Sequence, residues 1–181
     1  KQRSFVSRYF DTPDLVLCKN SASLRVRQID GEEQFEHTVK IGGFEKAGLH
    51  RRYEWNYDTD QASFDAMKFY KSAVSDQDPD ELLKEVLTLI DGKKIKEICQ
   101  TTFVRTTVIA TCHESIIEMA FDEGELTAGG KTEPIFEVEI ELISGDESDL
   151  MEMSRHVLEI SGGEPEKNNK FVRCLQLMGI S

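Results

Sequence analysis

The 181 residues contain no apolar stretch near the roughly 18 that a membrane-spanning helix requires. Lys1 to Phe10 lacks the layout of a secretory signal, so no membrane partner is expected and the cytoplasm is the expected location. Proline is scarce at 4 and glycine modest at 12, which excludes collagen-like and low-complexity classes. Four cysteines (Cys18, Cys99, Cys112, Cys174) stand far apart without a CxxC pair. Neither a disulfide framework nor a thiolate zinc site is expected of them, and buried reduced thiols are. The four histidines are equally scattered, none with a metal-ligand partner three or four residues away, so packing or solvent roles are expected. No Walker loop, GxGxxG or nucleophile elbow is present.

Positive charge is also scarce, but unevenly. The net charge of -12 argues against a nucleic-acid partner. Residues 1–105 are nearly balanced, with 17 Lys/Arg against 18 Asp/Glu, whereas residues 106–181 hold 5 against 16.

What is present is two-residue alternation. It predicts strands over Phe5–Phe10, Ser23–Gln28, Gln34–Ile41, His50–Tyr57, Thr101–Thr111, Ser115–Asp122 and Pro134–Ile143. Helical periodicity covers Gln61–Ala73, Asp80–Ile90, Glu147–Ile160 and Pro165–Met178. The pattern predicts one α+β domain over residues 1–181, an antiparallel sheet with helices packed outside.

Charge then assigns the faces. In Phe136–Leu142 the apolar residues Phe136, Val138, Ile140 and Leu142 share one side, while Glu137, Glu139 and Glu141 share the other. Adjacent carboxylates are about 6.5–7 Å apart in such a row, close enough to hold a divalent cation with help from a neighbouring strand. Glu118 and Asp122 form a similar row opposite Ile117, Met119 and Phe121; Arg25 and Arg27 face away from Leu24 and Val26. Lys40, Arg52 and Arg105 lie on further strands. An ordinary solvated sheet face would mix the signs. Whole strands of one sign point instead to a charged face that curls inward and closes. Crowded cations in such a space repel by about 4 kcal/mol per pair at 4 Å and an effective dielectric near 20. A polyphosphate relieves both rows, since its oxygens accept forked arginine hydrogen bonds while Mg²⁺ or Mn²⁺ bridges it to glutamate.

Six segments now read together: Tyr9-Phe10-Asp11-Thr12-Pro13, Leu24-Arg25-Val26-Arg27, Thr38-Val39-Lys40, Leu49-His50-Arg51-Arg52-Tyr53-Glu54, Ile117-Glu118-Met119-Ala120-Phe121-Asp122 and Glu137-Val138-Glu139-Ile140-Glu141. In that order they resemble the CYTH, or triphosphate tunnel metalloenzyme, superfamily. Gly124 to Glu137 is most similar to its bacterial inorganic triphosphatase branch. The resemblance implies an antiparallel β-barrel of eight strands, about seven of them recognisable here, that hydrolyses inorganic triphosphate (tripolyphosphate) with Mg²⁺ or Mn²⁺. It implies phosphate binding by Arg25, Arg27, Lys40, Arg52, Arg105 and Lys170, and metal binding by Glu137, Glu139, Asp122 and Glu118. Catalytic roles are implied for Asp122, Lys40 and Arg52. The family's opening ExExK strand has no match in Lys1–Arg8, so the chain is expected to be N-terminally truncated, its sheet either left with an open seam or completed by a strand of a second copy in a homodimer. The alternatives are a non-catalytic polyphosphate or nucleotide-binding module, a class IV adenylate cyclase, or a thiamine triphosphatase.

Overall fold

The computed structural model describes residues 1–42, 53–74 and 80–180, together with the backbone of residues 45, 46, 49 and 50. Among the described residues there are nine strands: β1 (Gln2–Asp11), β2 (Ala22–Ile29), β3 (Phe35–Ile41), β4 (Glu45–Lys46), β5 (Leu49–His50), β6 (Tyr53–Thr59), β7 (Lys96–Cys112), β8 (Ser115–Ala128) and β9 (Lys131–Ser144). The helices are α1 (Val16–Lys19), α2 (Ala66–Ser72), α3 (Asp80–Ile90), α4 (Glu147–Ser161) and α5 (Lys170–Leu177). Seven strands form one antiparallel sheet in the order β6-β3-β2-β1-β7-β8-β9, and β4 pairs with β5 alone.

The α+β antiparallel architecture and the count of seven main strands agree with the alternation, but several boundaries move. The helix expected over Gln61–Ala73 shrinks to Ala66–Ser72, because the Asp65 carboxylate accepts the Lys68 N–H and starts the helix there. The helix expected from Pro165 begins at Lys170, where Asn169 accepts the N–H groups of Phe171 and Val172. The Tyr9–Pro13 segment has a structural task. Buried Asp11 accepts hydrogen bonds from the N–H groups of Thr12, Leu17 and Cys18, closing the turn that carries α1.

The sheet separates two cores. One face of β2, β3 and β6, with Leu24, Val39 and Trp55, is covered by α1, α2 and α3 through Leu17, Phe69, Leu83, Val86, Leu87 and Ile90. This is the outer packing that the apolar stripe of α3 predicts. The opposite face carries a second core in which Phe5, Tyr9, Phe103, Leu126 and Ile135 meet Phe171, Cys174 and Leu175 of α5. Phe5 stacks on Phe103 and Tyr9 on Phe171, with ring centroids 5.5 and 5.3 Å apart. Thus α5 lies on the side that also bears the charged rows. The outer side of β9 is less covered than the alternation predicts. Leu150 of α4 is buried, but Phe136 is 87% exposed, because α4 runs from the end of β9 where Asp146 meets Ser115.

Among the described residues β6 and β9 do not pair, so the sheet is not closed by a continuous ladder. It is nevertheless strongly curled. Glu141 on β9 has its pKa raised by burial and by Glu139, and Lys40 on β3 lies near enough to oppose that rise, although five strand spacings separate β3 from β9, about 24 Å in a flat sheet.

A charged concave face as the candidate functional site

Strand register fixes which side chains meet. Arg105 of β7 stands opposite Asp122 of β8, and Asp122 opposite Glu137 of β9. The Arg105 guanidinium donates from Nε and Nη2 to the two oxygens of Asp122, both at 2.7 Å, and from Nη2 to Glu139 at 2.5 Å. That forked geometry suits a planar guanidinium. Lys170, from the first turn of α5, reaches the same place. Its Nζ lies 2.7 Å from Asp122 Oδ2 and 2.8 Å from Glu139 Oε1, and it also donates to Glu137. Asp122, Glu137 and Glu139 each offer an oxygen within 4.8 Å of the other two. A compact, half-enclosed set of carboxylate oxygens fits a hard divalent cation such as Mg²⁺ or Mn²⁺.

Burial and charge set the ionisation of this group. Burial alone would raise the Glu139 pKa, but Lys170 and Arg105 outweigh it and hold the carboxyl down to about 2. Burial likewise disfavours the Lys170 ammonium, and Glu139, Glu137 and Asp122 reverse that, so its pKa is raised. Glu141, further along β9, is pushed up by burial and by the like charge of Glu139.

The cations expected on β2 and β3 line the same face. Arg25, 7% exposed, donates from Nη2 to Glu36 at 2.6 Å and to Thr38 at 2.9 Å. Its Nε is buried without a hydrogen-bond partner, an orphaned donor of the kind an anionic acceptor would satisfy. Arg27 donates to Ser7 at 2.9 Å and lies over the rings of Phe5 and Phe103. Burial, reinforced by Arg25, pushes its pKa down to about 10. Lys40 pairs with Glu54 at 2.6 Å, and burial together with Arg25 lowers its pKa against the pull of that carboxylate.

The structure therefore brings together Arg25, Arg27, Lys40, Arg105, Lys170, Asp122, Glu137 and Glu139. Glu118 stands opposite Glu141, outside the three-carboxylate cluster. Arg52 lies outside the described residues, as does the side chain of His50. The sequence reading missed Arg173, whose Nη1 donates to Glu137 at 2.8 Å and whose Nε and Nη2 donate to Glu133 at 3.0 and 2.6 Å. Its spacing of three from Lys170 on one helix face was the available signal. Strand pairing also brings Glu36 to Arg25 and Glu54 to Lys40, contacts that two-residue alternation does not reveal.

Comparison with known proteins bears on this arrangement. The family model described as the CYTH domain matches residues 2–174. The chain is 33% identical over 144 residues to the inorganic triphosphatase of Haemophilus influenzae, covering 80% of this chain and 37% of that protein. It therefore spans little more than a third of the length of the curated relative it matches. Among solved structures, it resembles HpAC1 from Hippeastrum, an adenylyl cyclase candidate described as having a dominant triphosphatase activity. The TM-score is 0.59 at 15% identity, over 100% of this chain and 84% of that one. It also resembles an adenylate cyclase candidate from Bacillus halodurans, with a TM-score of 0.56 at 21% identity, over 95% and 82% of the two chains. These structural likenesses, at low identity, speak for the fold, and the match over nearly all its residues shows that the chain belongs to the CYTH domain family.

Proposed function

We propose that the concave face hydrolyses inorganic triphosphate (tripolyphosphate) to phosphate and diphosphate with the help of Mg²⁺ or Mn²⁺. The observation that carries this reading is the shared face itself: Arg25, Arg27 and Lys40 on one flank, the Asp122, Glu137 and Glu139 cluster on the other, and Arg105 between them. The sequence relationship to an inorganic triphosphatase supports the same substrate class.

In this reading Asp122, Glu137 and Glu139 hold the cation, with Glu118 a further acidic group on the same wall. When bound, the cation supplies neutralisation of phosphate charge and a more acidic water. Arg25 and Arg27 donate to phosphate oxygens in forked geometry, Arg25 through the Nε that has no partner of its own. Lys40 and Lys170 act as point charges, and Arg52 joins them from outside the described residues. Arg105 changes partners least, since both Asp122 oxygens anchor it. These fixed cations stabilise charge that accumulates on the transferred phosphoryl group and the departing diphosphate, which is where the catalytic advantage in phosphoryl transfer lies. Asp122, fixed between Arg105 and Lys170, orders the end of the site from which water attacks.

Phosphate release from tripolyphosphate with Mg²⁺ or Mn²⁺ tests the proposal. Arg27→Ala and Glu139→Ala are each expected to lower turnover by about 100-fold or more, in line with the loss of one preorganised charge; unchanged turnover in either variant rejects that residue's role. A second reading, binding of polyphosphate without hydrolysis, is favoured by the full occupation of the three carboxylates by Lys170, Arg105 and Arg173. It predicts that triphosphate raises the melting temperature while no phosphate is released. The homodimer belongs to the proposal as well, resting on β6 and β9 standing at the two ends of the sheet among the described residues, β6 with only an isolated bridge from Asn56 to Val74 beyond it; light scattering of the purified chain reads its mass directly.

A further inference from the structure

Away from the concave face, the tight turn between β7 and β8 and the start of α4 bring a second group of donor atoms together. Cys112, His113 and Glu152 each place one ligand-type atom within 4.8 Å of the other two. Cys112 Sγ is 3.6 Å from His113 Nδ1, and Asp149 Oδ1 is 3.1 Å from the same nitrogen. Zinc bonds of about 2.0–2.3 Å put tetrahedral ligands about 3.3–3.8 Å apart, so these separations need only small side-chain adjustments. We propose that Cys112, His113 and Glu152, with Asp149 completing or orienting the set, form a binding site for Zn²⁺ or another borderline-soft divalent ion.

Three features of the structure favour this over a chance surface cluster. The donors are sulfur, imidazole nitrogen and carboxylate oxygen, a mixture suited to Zn²⁺ and poorly suited to Mg²⁺ or Ca²⁺. Their scaffold is fixed across elements. Ser115 Oγ accepts the Asp146 N–H at 2.9 Å and donates to Asp149 at 2.6 Å, locking the first turn of α4 onto the turn that carries Cys112 and His113. Gly145 allows this approach, because a Cβ there would lie 2.0 Å from Ser115 Oγ. Charge is the third. Asp149 and Glu152 approach the thiol, and among the described residues no lysine or arginine forms an ion pair with either; besides the Ser115 hydroxyl, Asp149 meets only the His113 imidazole. A dication supplies the missing positive charge. Sequence spacing could not reveal the site, since adjacent Cys112 and His113 gain their other ligands from a helix 36 and more residues away.

The site is tested on the full chain with Co²⁺ as an optical probe and Zn²⁺ as competitor. Wild-type protein is expected to take up one Co²⁺ with a thiolate-to-cobalt charge-transfer band that Zn²⁺ abolishes. The carboxylate cluster on the concave face has no sulfur and gives no such band. Cys112→Ser is expected to lose the band, and His113→Asn, which keeps a residue tolerant of the left-handed backbone at φ 51°, to weaken binding tenfold or more. Glu152→Gln lies on an exposed helix surface and serves as the variant whose folding is secure; a tenfold loss is expected there too. Absence of the band in wild type, or a band and affinity unchanged in Cys112→Ser and Glu152→Gln, overturns the proposal.

Discussion

Replacing Lys170 by methionine keeps most of the side chain's length and apolar contact while removing the ammonium that joins Asp122, Glu137 and Glu139. The magnitude follows from Glu139. A pKa of about 2 against an ordinary 4.5 corresponds to about 3.4 kcal/mol of favourable interaction with the ionised form. The side chain is 39% exposed, so solvent screening reduces this to about 1–2 kcal/mol. Asp122 is fully enclosed and keeps Arg105, and Glu137 keeps Arg173, yet both lose a close cation. Together these place the cost near 3 kcal/mol at neutral pH, the lower end of what removal of one partner from a buried charge cluster costs.

The sign with pH is definite. A depressed carboxyl pKa gives stability that is present above the unfolded value near 4.5 and is lost as pH falls through the folded value near 2. In the methionine variant Glu139 loses the cation that most lowers its pKa and titrates at higher pH, so its folded state takes up a proton where the wild-type folded state does not. The gap between the two proteins therefore narrows as pH falls from 8 towards 4. Urea denaturation at pH 8, 6 and 4, with chelator present, measures the gap at each pH. Mg²⁺ at pH 8 is expected to restore part of the loss in Lys170→Met and to do less for wild type, whose carboxylates already have a cation. A loss of equal size at all three pH values would refute the electrostatic account and leave packing of the lysine stem as the cause.

Asp11→Ala removes the acceptor of three N–H groups, two of them in buried hydrogen bonds, and is expected to lower stability by about 2 kcal/mol, read as a shifted urea midpoint. At Gly124 a Cβ would stand 2.1 Å from the Thr102 carbonyl oxygen and 2.5 Å from Phe103 Cα. Gly124→Ala must therefore displace backbone, with an expected loss of 2 kcal/mol or more by the same measurement. Triphosphate binding followed by calorimetry is expected to weaken at least tenfold when Mg²⁺ is withheld; equal affinity with and without it would contradict the charge balance of the concave face.

Alternation made most of the sheet legible because a strand's two faces are set by parity alone. That is why Arg25, Arg27, Lys40, Glu137 and Glu139 could be assigned to one side before any pairing was known. Parity carries no information about register, so it could not show that Glu36 and Glu54 neutralise Arg25 and Lys40. Helix starts were displaced where one side chain captured backbone N–H groups, at Asp65 and Asn169. The apolar side of β9 was expected to be covered, yet Phe136 stays in solvent, since coverage depends on where α4 crosses the sheet. Periodicity also gave no sign that α5 would pack on the charged face; its buried residues Phe171, Cys174 and Leu175 would suit either side.

The pairings on the concave face carry a constraint on any polyanion that enters it. Among the described residues, Arg25, Arg27, Lys40, Arg105, Lys170 and Arg173 are six cations; Glu36, Glu54, Glu118, Asp122, Glu133, Glu137, Glu139 and Glu141 are eight acidic groups on the same wall or against it. Most of the cations already have carboxylate partners, so a phosphate must either displace those partners or share them. Displacement strands carboxylates beside the incoming charge, and sharing leaves the face with an excess of negative groups before the ligand arrives. Neither is favourable in a partly dehydrated space. A divalent ion entering with the phosphate changes the balance at the Asp122, Glu137 and Glu139 end. There it would take over from Lys170 in holding three acids together and leave that ammonium to face the ligand, while Asp122 keeps Arg105. Under the proposed function, metal and polyphosphate bind as a coupled pair, and the acidity of this face then gives a reason for the proposed need for metal.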